Sequence, residues 1–173
     1  MAGFAQSPDD FRILDDHDES VTHPMLIEGR RWWERARGDR AMPGRQDFDP
    51  VKAPPAMLPH ILLADVVWTP RLRFRYRLIG THITQAMGRD STGRWFDDLY
   101  NEYEYGTVTA GIMRAIETGR PVSTLARAPA DERSFLRIEA VDMPLAANGK
   151  DVDMIMSLCD IRNPAAVRSH DEP

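Results

Sequence analysis

The chain has 173 residues, 42% of them hydrophobic and 28% charged, with a net charge of −5 at neutral pH. That length is one domain of about 100–150 residues plus an extension, and the acidic balance argues against nonspecific nucleic-acid binding, which needs a basic surface to neutralise phosphates. A single cysteine, Cys159, excludes an intramolecular disulfide framework, and no uninterrupted apolar run reaches the roughly 18 residues of a membrane span. The first twenty residues carry neither the basic nor the apolar stretch of a secretion signal. The expectation is a cytoplasmic protein with no membrane insertion and no nucleic-acid partner.

Residues 1–21 are acidic and read as a flexible N-terminus, although Phe11, Ile13 and Leu14 offer apolar docking points. A first helix is predicted over 24–37. Pro24 suits its first position, Thr22 or His23 caps it, and Gly38 stops it. Met25, Leu26, Gly29, Trp32, Trp33 and Ala36 form its apolar stripe, and two adjacent tryptophans about 100° apart need a wide contact to shield both. A proline-rich connector closes this N-terminal unit (22–60), with a short helical turn expected near Pro55–Leu58. The core (61–162) begins with a strand over 61–68, apolar on both faces but for Ala64 and Asp65. A second strand, 72–78, alternates strictly: Leu72, Phe74, Tyr76 and Leu78 on one face, Arg73, Arg75 and Arg77 on the other.

Short helical pieces follow. One starts at Thr81, carries Ile83 and Met87, and ends at Gly88; further turns lie within 88–100. The clearest helix spans 102–118. Asn101 and Glu104 make a capping box, and Tyr105, Val108, Thr109, Ile112, Met113 and Ile116 recur at helical spacing before Gly119 and Pro121. Three strands, 121–128, 133–145 and 151–161, finish the core, the last two joined through the hairpin signal Asn148-Gly149. Residues 163–173 read as a polar tail. Strands before and after a helical segment imply an α+β fold with an antiparallel sheet. Because several strands are apolar on both faces, the Trp32/Trp33 helix, from this chain or a partner, is expected either to cap the second face or to form a dimer interface.

The order of elements resembles that of the PAS superfamily. The strings "MPGRQDFDP…LPHILLADVV", "RFRYRLIGTHI" with "MGRDSTGRWFDDL", and "ETGRPV" after the long helix are similar to those of small stand-alone PAS proteins of alphaproteobacteria. The resemblance implies a five-stranded sheet in spatial order 2-1-5-4-3, with helices on one face enclosing a pocket and an N-terminal helix through which such domains often dimerise. It also implies a sensory role, in which a bound small molecule favours one conformation over another. Flavin photosensors of this type need a reactive cysteine in the helical region, and haem sensors often use a histidine on the long helix. Cys159 lies in the last strand and helix 102–118 has no histidine, so both cofactors are disfavoured and the ligand is left unnamed. No kinase or cyclase module follows, so output is expected to pass through a separate signalling protein or a change of homodimer.

The candidate pocket residues are Trp95, Phe96, Tyr105, Ile112, Met113 and Ile116, facing Leu136, Ile138 and Tyr76, with Tyr105 placed to orient a polar ligand. Apolar stripes at this spacing are core by default, and only the fold analogy makes them a site. His82 has no partner at metal-ligand spacing and reads as a capping residue, so no metal site is expected. The "GRDSTGR" run fits no phosphate-loop pattern, and the Arg73, Arg75, Arg77 stripe suits an edge strand. No nucleophile motif is present and no catalytic residue is assigned. The alternatives are a ligand-free dimerisation and interaction module and, behind it, a small cone-shaped α+β enzyme with an Asp65/His82 acid–base pair.

Overall fold

In a computed structural model, residues 11–14, 23–49, 52–128, 133 and 135–167 are described. Strand β1 is Phe11–Leu14, helix α1 Pro24–Arg37, β2 Ile61–Val67, β3 Arg73–Ile79, α2 Thr81–Met87, α3 Glu102–Thr118, β4 Val122–Arg127, β5 Arg137–Leu145, β6 Met154–Arg162 and α4 Pro164–Val167. The strands form one antiparallel sheet in the order β1-β4-β5-β6-β2-β3. The five core strands therefore stand in the expected 2-1-5-4-3 order. The sixth, β1, lies in the stretch read as flexible: it pairs with β4 through Phe11 opposite Ala126 and Leu14 opposite Ser123. The rest of that stretch, Thr22 and residues 168–173 lie outside the described residues.

Both sheet faces are covered, which is why β5 and β6 are buried along nearly their whole length. Helices α2 and α3 lie on one face. Helix α1, capped by His23 Nδ1 accepting the amide of Met25 at 3.2 Å, lies on the other, against β5 and β6. The close approach needs Gly29: a Cβ there would stand 2.0 Å from Leu158 Cδ1. Trp33 is fully buried in this interface and donates its indole N–H to the Pro144 carbonyl at 2.8 Å. So the helix caps the sheet of its own chain, with Trp33 fully buried in that contact. Trp32, half-buried, packs edge-on against Phe48 at 4.9 Å.

Two expectations of side-chain direction are corrected. The pairing of Leu63 with Leu78 and of Ala64 with Tyr76 leaves Arg77 bulged out of the ladder, and the bulge reverses the alternation. Tyr76 thus faces α3 while Leu78 turns to the α1 face, where it is 44% exposed. Helix α3 keeps its expected length and capping box, with Glu104 N–H donating to Asn101 Oδ1 at 2.9 Å. Its phase differs: the buried positions are Thr107, Thr109, Gly111, Ile112 and Ala115. Small residues meet the sheet because they let the helix come close, and this turns Met113 to solvent, 43% exposed.

Candidate functional site

Between α3, α2 and the sheet is a cavity of about 130 Å³. The sheet contributes alternating residues of one face: Leu62 from β2, Thr124 and Ala126 from β4, Ile138, Ala140 and Asp142 from β5, and Ser157, Cys159 and Ile161 from β6. Val108, Gly111 and Ile112 of α3 form the roof, Ile83 and Met87 of α2 one side, and Phe11 of β1 the far edge. Three aromatic rings close the remaining wall. Tyr76 and Phe96 stack at 4.1 Å between centroids, Tyr100 meets Phe96 edge-on at 6.1 Å, and the Tyr76 and Tyr100 hydroxyls are hydrogen-bonded at 2.7 Å.

The polar feature of this apolar chamber is Asp142. Its Oδ1 accepts the Ser157 hydroxyl at 2.5 Å, and its Oδ2 accepts no hydrogen bond among the described residues. The missing side chain of Gly111 makes room for it, since a Cβ at that position would come within 2.3 Å of Oδ2. Removal from water disfavours the charged form of a carboxyl. Burial accordingly pushes Asp142 up to about 6, against the pull of the Ser157 hydrogen bond. The same burial raises the Tyr76 phenol well above its usual range, with Tyr100 adding to it. Burial also drives the Cys159 thiol far up, reinforced by Asp142 and Asp160. A thiol so held makes no thiolate and is chemically inert.

Of the residues expected at the pocket, Tyr76, Phe96, Ile112 and Ile138 line it. The others are placed elsewhere. Trp95 lies under the Arg73 and Arg75 guanidinium groups at 4.1 and 5.4 Å, outside the chamber. Tyr105 packs beside the main core, its phenol raised by burial and then by the Asp97 charge. Ile116 packs against the same core, Leu136 sits in a second cluster with Ile83 and Cys159, and Met113 faces solvent. Sequence reasoning missed Asp142, Ser157, Tyr100 and Gly111. The one available signal was an acid interrupting the apolar run "AVDMPL".

The Asp65/His82 pair is not assembled. Asp65, near the C-terminal end of β2, binds Arg75 at 2.8 Å and Arg77 at 3.5 Å, and Arg73 pairs with Asp97 at 2.8 Å, so each arginine of the stripe has an acidic partner in its own chain. His82 stands at the other end of β2, stacked on His60 with ring centroids 4.0 Å apart, and these two with Asp160 form a group whose ligand atoms lie within 4.8 Å of one another. That donor set suits a transition metal in kind. Yet His82 Nε2 accepts the Ile161 amide at 3.1 Å, His60 Nδ1 contacts the Cys159 carbonyl at 2.9 Å, and Asp160 takes the Arg162 guanidinium. The amide bond fixes His82 as the cap of a strand end whose β2 pairing has already stopped. The chamber itself, at about 130 Å³, is below the roughly 300–1,000 Å³ of pockets that enclose drug-sized ligands.

A twisted antiparallel sheet in this strand order, with helices enclosing a small chamber on one face, defines the sensory PAS class of α+β domains. The match of a family model described as "PAS domain" to residues 21–159 agrees with it, and the chain belongs to the PAS domain family. PAS domains are in general sensory and signalling modules rather than catalysts. No curated protein matches the chain. A solved RNA-binding light-oxygen-voltage receptor is similar at 18% identity and a TM-score of 0.45, over 70% of this chain. The match spans 37% of that receptor's length. No helix among the described residues is long and apolar enough to cross a membrane.

Proposed function

We propose that this PAS domain senses a small molecule bound in the chamber under α3, and passes the signal on as a change of conformation without catalysis. One observation carries the reading: the apolar chamber under α3 has the Asp142 carboxyl on its floor, and one of its oxygens accepts no hydrogen bond among the described residues. That oxygen opens onto the chamber instead of packing against apolar atoms, so it is available to a ligand there. The volume, about 130 Å³, matches in scale an engineered apolar cavity of roughly 150 Å³ that takes up benzene. Native mass spectrometry of protein purified without added ligand tests the proposal. A non-covalent adduct lost on denaturation, and absent from Ala140→Leu, is expected. If the wild-type chain is free of adduct and benzene does not perturb amide resonances around the chamber, the sensing role is refuted.

A second reading, a dimerisation and interaction module, rests on a separate cavity of about 180 Å³ on the α1 face, lined by Trp32, Phe48, Leu58, Leu63, Leu78 and Met156. Leu58 and Leu78 are 40% and 44% exposed there, and a second copy of the chain is the occupant this reading takes. Leu78→Asp lowers the mass by sedimentation if the reading holds; an unchanged mass, monomeric or dimeric, removes it.

A further inference from the structure

The hydrogen-bonding character of the chamber defines what it accepts. Ser157 spends its hydroxyl hydrogen on Asp142, and Thr107 spends its own on the Tyr103 carbonyl at 3.2 Å. One of the Tyr76/Tyr100 pair spends its hydrogen on the other. What these groups leave facing the chamber is chiefly acceptors, Asp142 Oδ2 and the lone pairs of the hydroxyl oxygens, beside one remaining hydroxyl hydrogen of the tyrosine pair and the weak Cys159 S–H donor. Thr124 adds a hydroxyl able to act either way. An anionic ligand would be repelled by the Asp142 carboxylate, whereas a cation removes the cost of burying that charge. The rings of Tyr76, Phe96 and Tyr100 share the same chamber, and aromatic rings attract organic cations through their quadrupoles.

We infer that the chamber binds a small organic ammonium ion, its N–H groups on Asp142 Oδ2 and its apolar body against the aromatic wall and α3. The inference rests on the sensing role proposed above and names the ligand class for it. Size limits the ligand to about six heavy atoms, the benzene scale of a comparable cavity. The titratable or charged groups that share the chamber with Asp142 are Cys159 from β6, Tyr76 from β3, Tyr100 ahead of α3 and Arg127 from β4; the wall residues from β1, β2, α2 and α3 carry no ionisable side chain. Cys159 and Tyr76 are held protonated by burial. Arg127 pairs in register with Arg137, and Arg137 with Arg162, so its side chain alternates onto the α1 face.

Isobutylamine, its neutral isostere isobutanol, and benzene as an apolar probe of the chamber are titrated into the full chain and read by amide resonances of Asp142, Ser157 and Gly111. Isobutylamine is expected to bind at least tenfold tighter than isobutanol at pH 7. With the Asp142 carboxyl near 6 in the empty chamber, the ionised fraction, and with it the affinity, falls about tenfold between pH 7 and pH 5. Asp142→Asn, its fold checked by the dispersion of its amide spectrum, should lose both the preference and the pH dependence while still taking up benzene. Equal binding of isobutanol, or an amine affinity unmoved by Asp142→Asn, overturns the ammonium assignment and leaves a chamber for neutral ligands. Failure of all three probes overturns the chamber and the assignment together.

Discussion

Asp142→Asn separates the electrostatic cost of this site from its packing. Burial lifts the carboxyl from 3.8 to about 6, so the folded state holds the proton more tightly than the unfolded chain between those two values. Stability then falls as pH rises through that window, and the deficit is complete above pH 6. A shift of about two units corresponds to about 3 kcal/mol at neutral pH. Asparagine retains an Oδ1 to accept the Ser157 hydroxyl and does not titrate; whatever its Nδ2 costs in the chamber is the same at every pH. The difference in unfolding free energy between variant and wild type should therefore move in favour of the variant by about 2–3 kcal/mol from pH 4 to pH 8. With a urea slope of about 2 kcal/mol per molar, the gap between the two midpoints changes by about 1 M. Parallel urea titrations at pH 4, 5, 6, 7 and 8 measure it. A gap that stays constant across the series would show that Asp142 is not buried as described, and the reasoning about the chamber would fall with it.

Three further outcomes follow from the packing. Gly29→Ala puts a methyl group 2.0 Å from Leu158 Cδ1; as Leu158 is fully buried, its side chain or α1 has to shift, a loss of about 1–3 kcal/mol is expected in thermal melts, and an unchanged melt would refute the tight seating of α1 on β6. Met113→Trp should leave benzene uptake intact because Met113 faces solvent, whereas Ala140→Leu fills the chamber and abolishes it; calorimetry that reverses this order would put Met113 on the chamber wall. His82 is held below its ordinary value by burial first and then by the neighbouring His60. Its contribution to stability is full above its unfolded value of 6.5 and is lost as pH falls below it, so His82→Gln should flatten the acid side of a melting-temperature profile, and an unaltered profile would refute the coupling.

The fold was readable because its signals are local. The capping box at Asn101 and Glu104, the αL glycines Gly88 and Gly119, and the Asn148-Gly149 turn each bracket an element within a few residues, and the element order follows from them. What failed depended on contacts made at long range. Helical spacing placed Met113 on the inner face of α3, but the helix is turned so that Gly111 and Ala115 meet β4 and β5, and nothing within residues 102–118 declares how near the sheet comes. Strict alternation placed Leu78 beside Tyr76, and a bulge at Arg77, set by pairing with β2, parted them. Phe11–Leu14 is too short to announce itself as a strand and acquires its pairing only from the exposed edge of β4. The tryptophan pair was half legible: two adjacent rings demanded a broad contact, and the sheet of the same chain supplies it.

The site illustrates the same division more sharply. Asp142 stands in a strand whose neighbours on both sides are apolar, where a lone carboxylate reads as a solvent-facing position of a half-exposed strand. That reading fails because β5 is covered on both faces. Once α1 occupies one side and α3 the other, the strand is buried from Glu139 to Leu145, and a charge there persists only with a partner. Ser157 answers for one oxygen, and Gly111 ensures that α3 neither covers nor displaces the other. The glycine and the aspartate are thus one feature. Substituting the first would crowd the second, and either change would cost the chamber its unpaired acceptor, the property on which the proposed binding site rests.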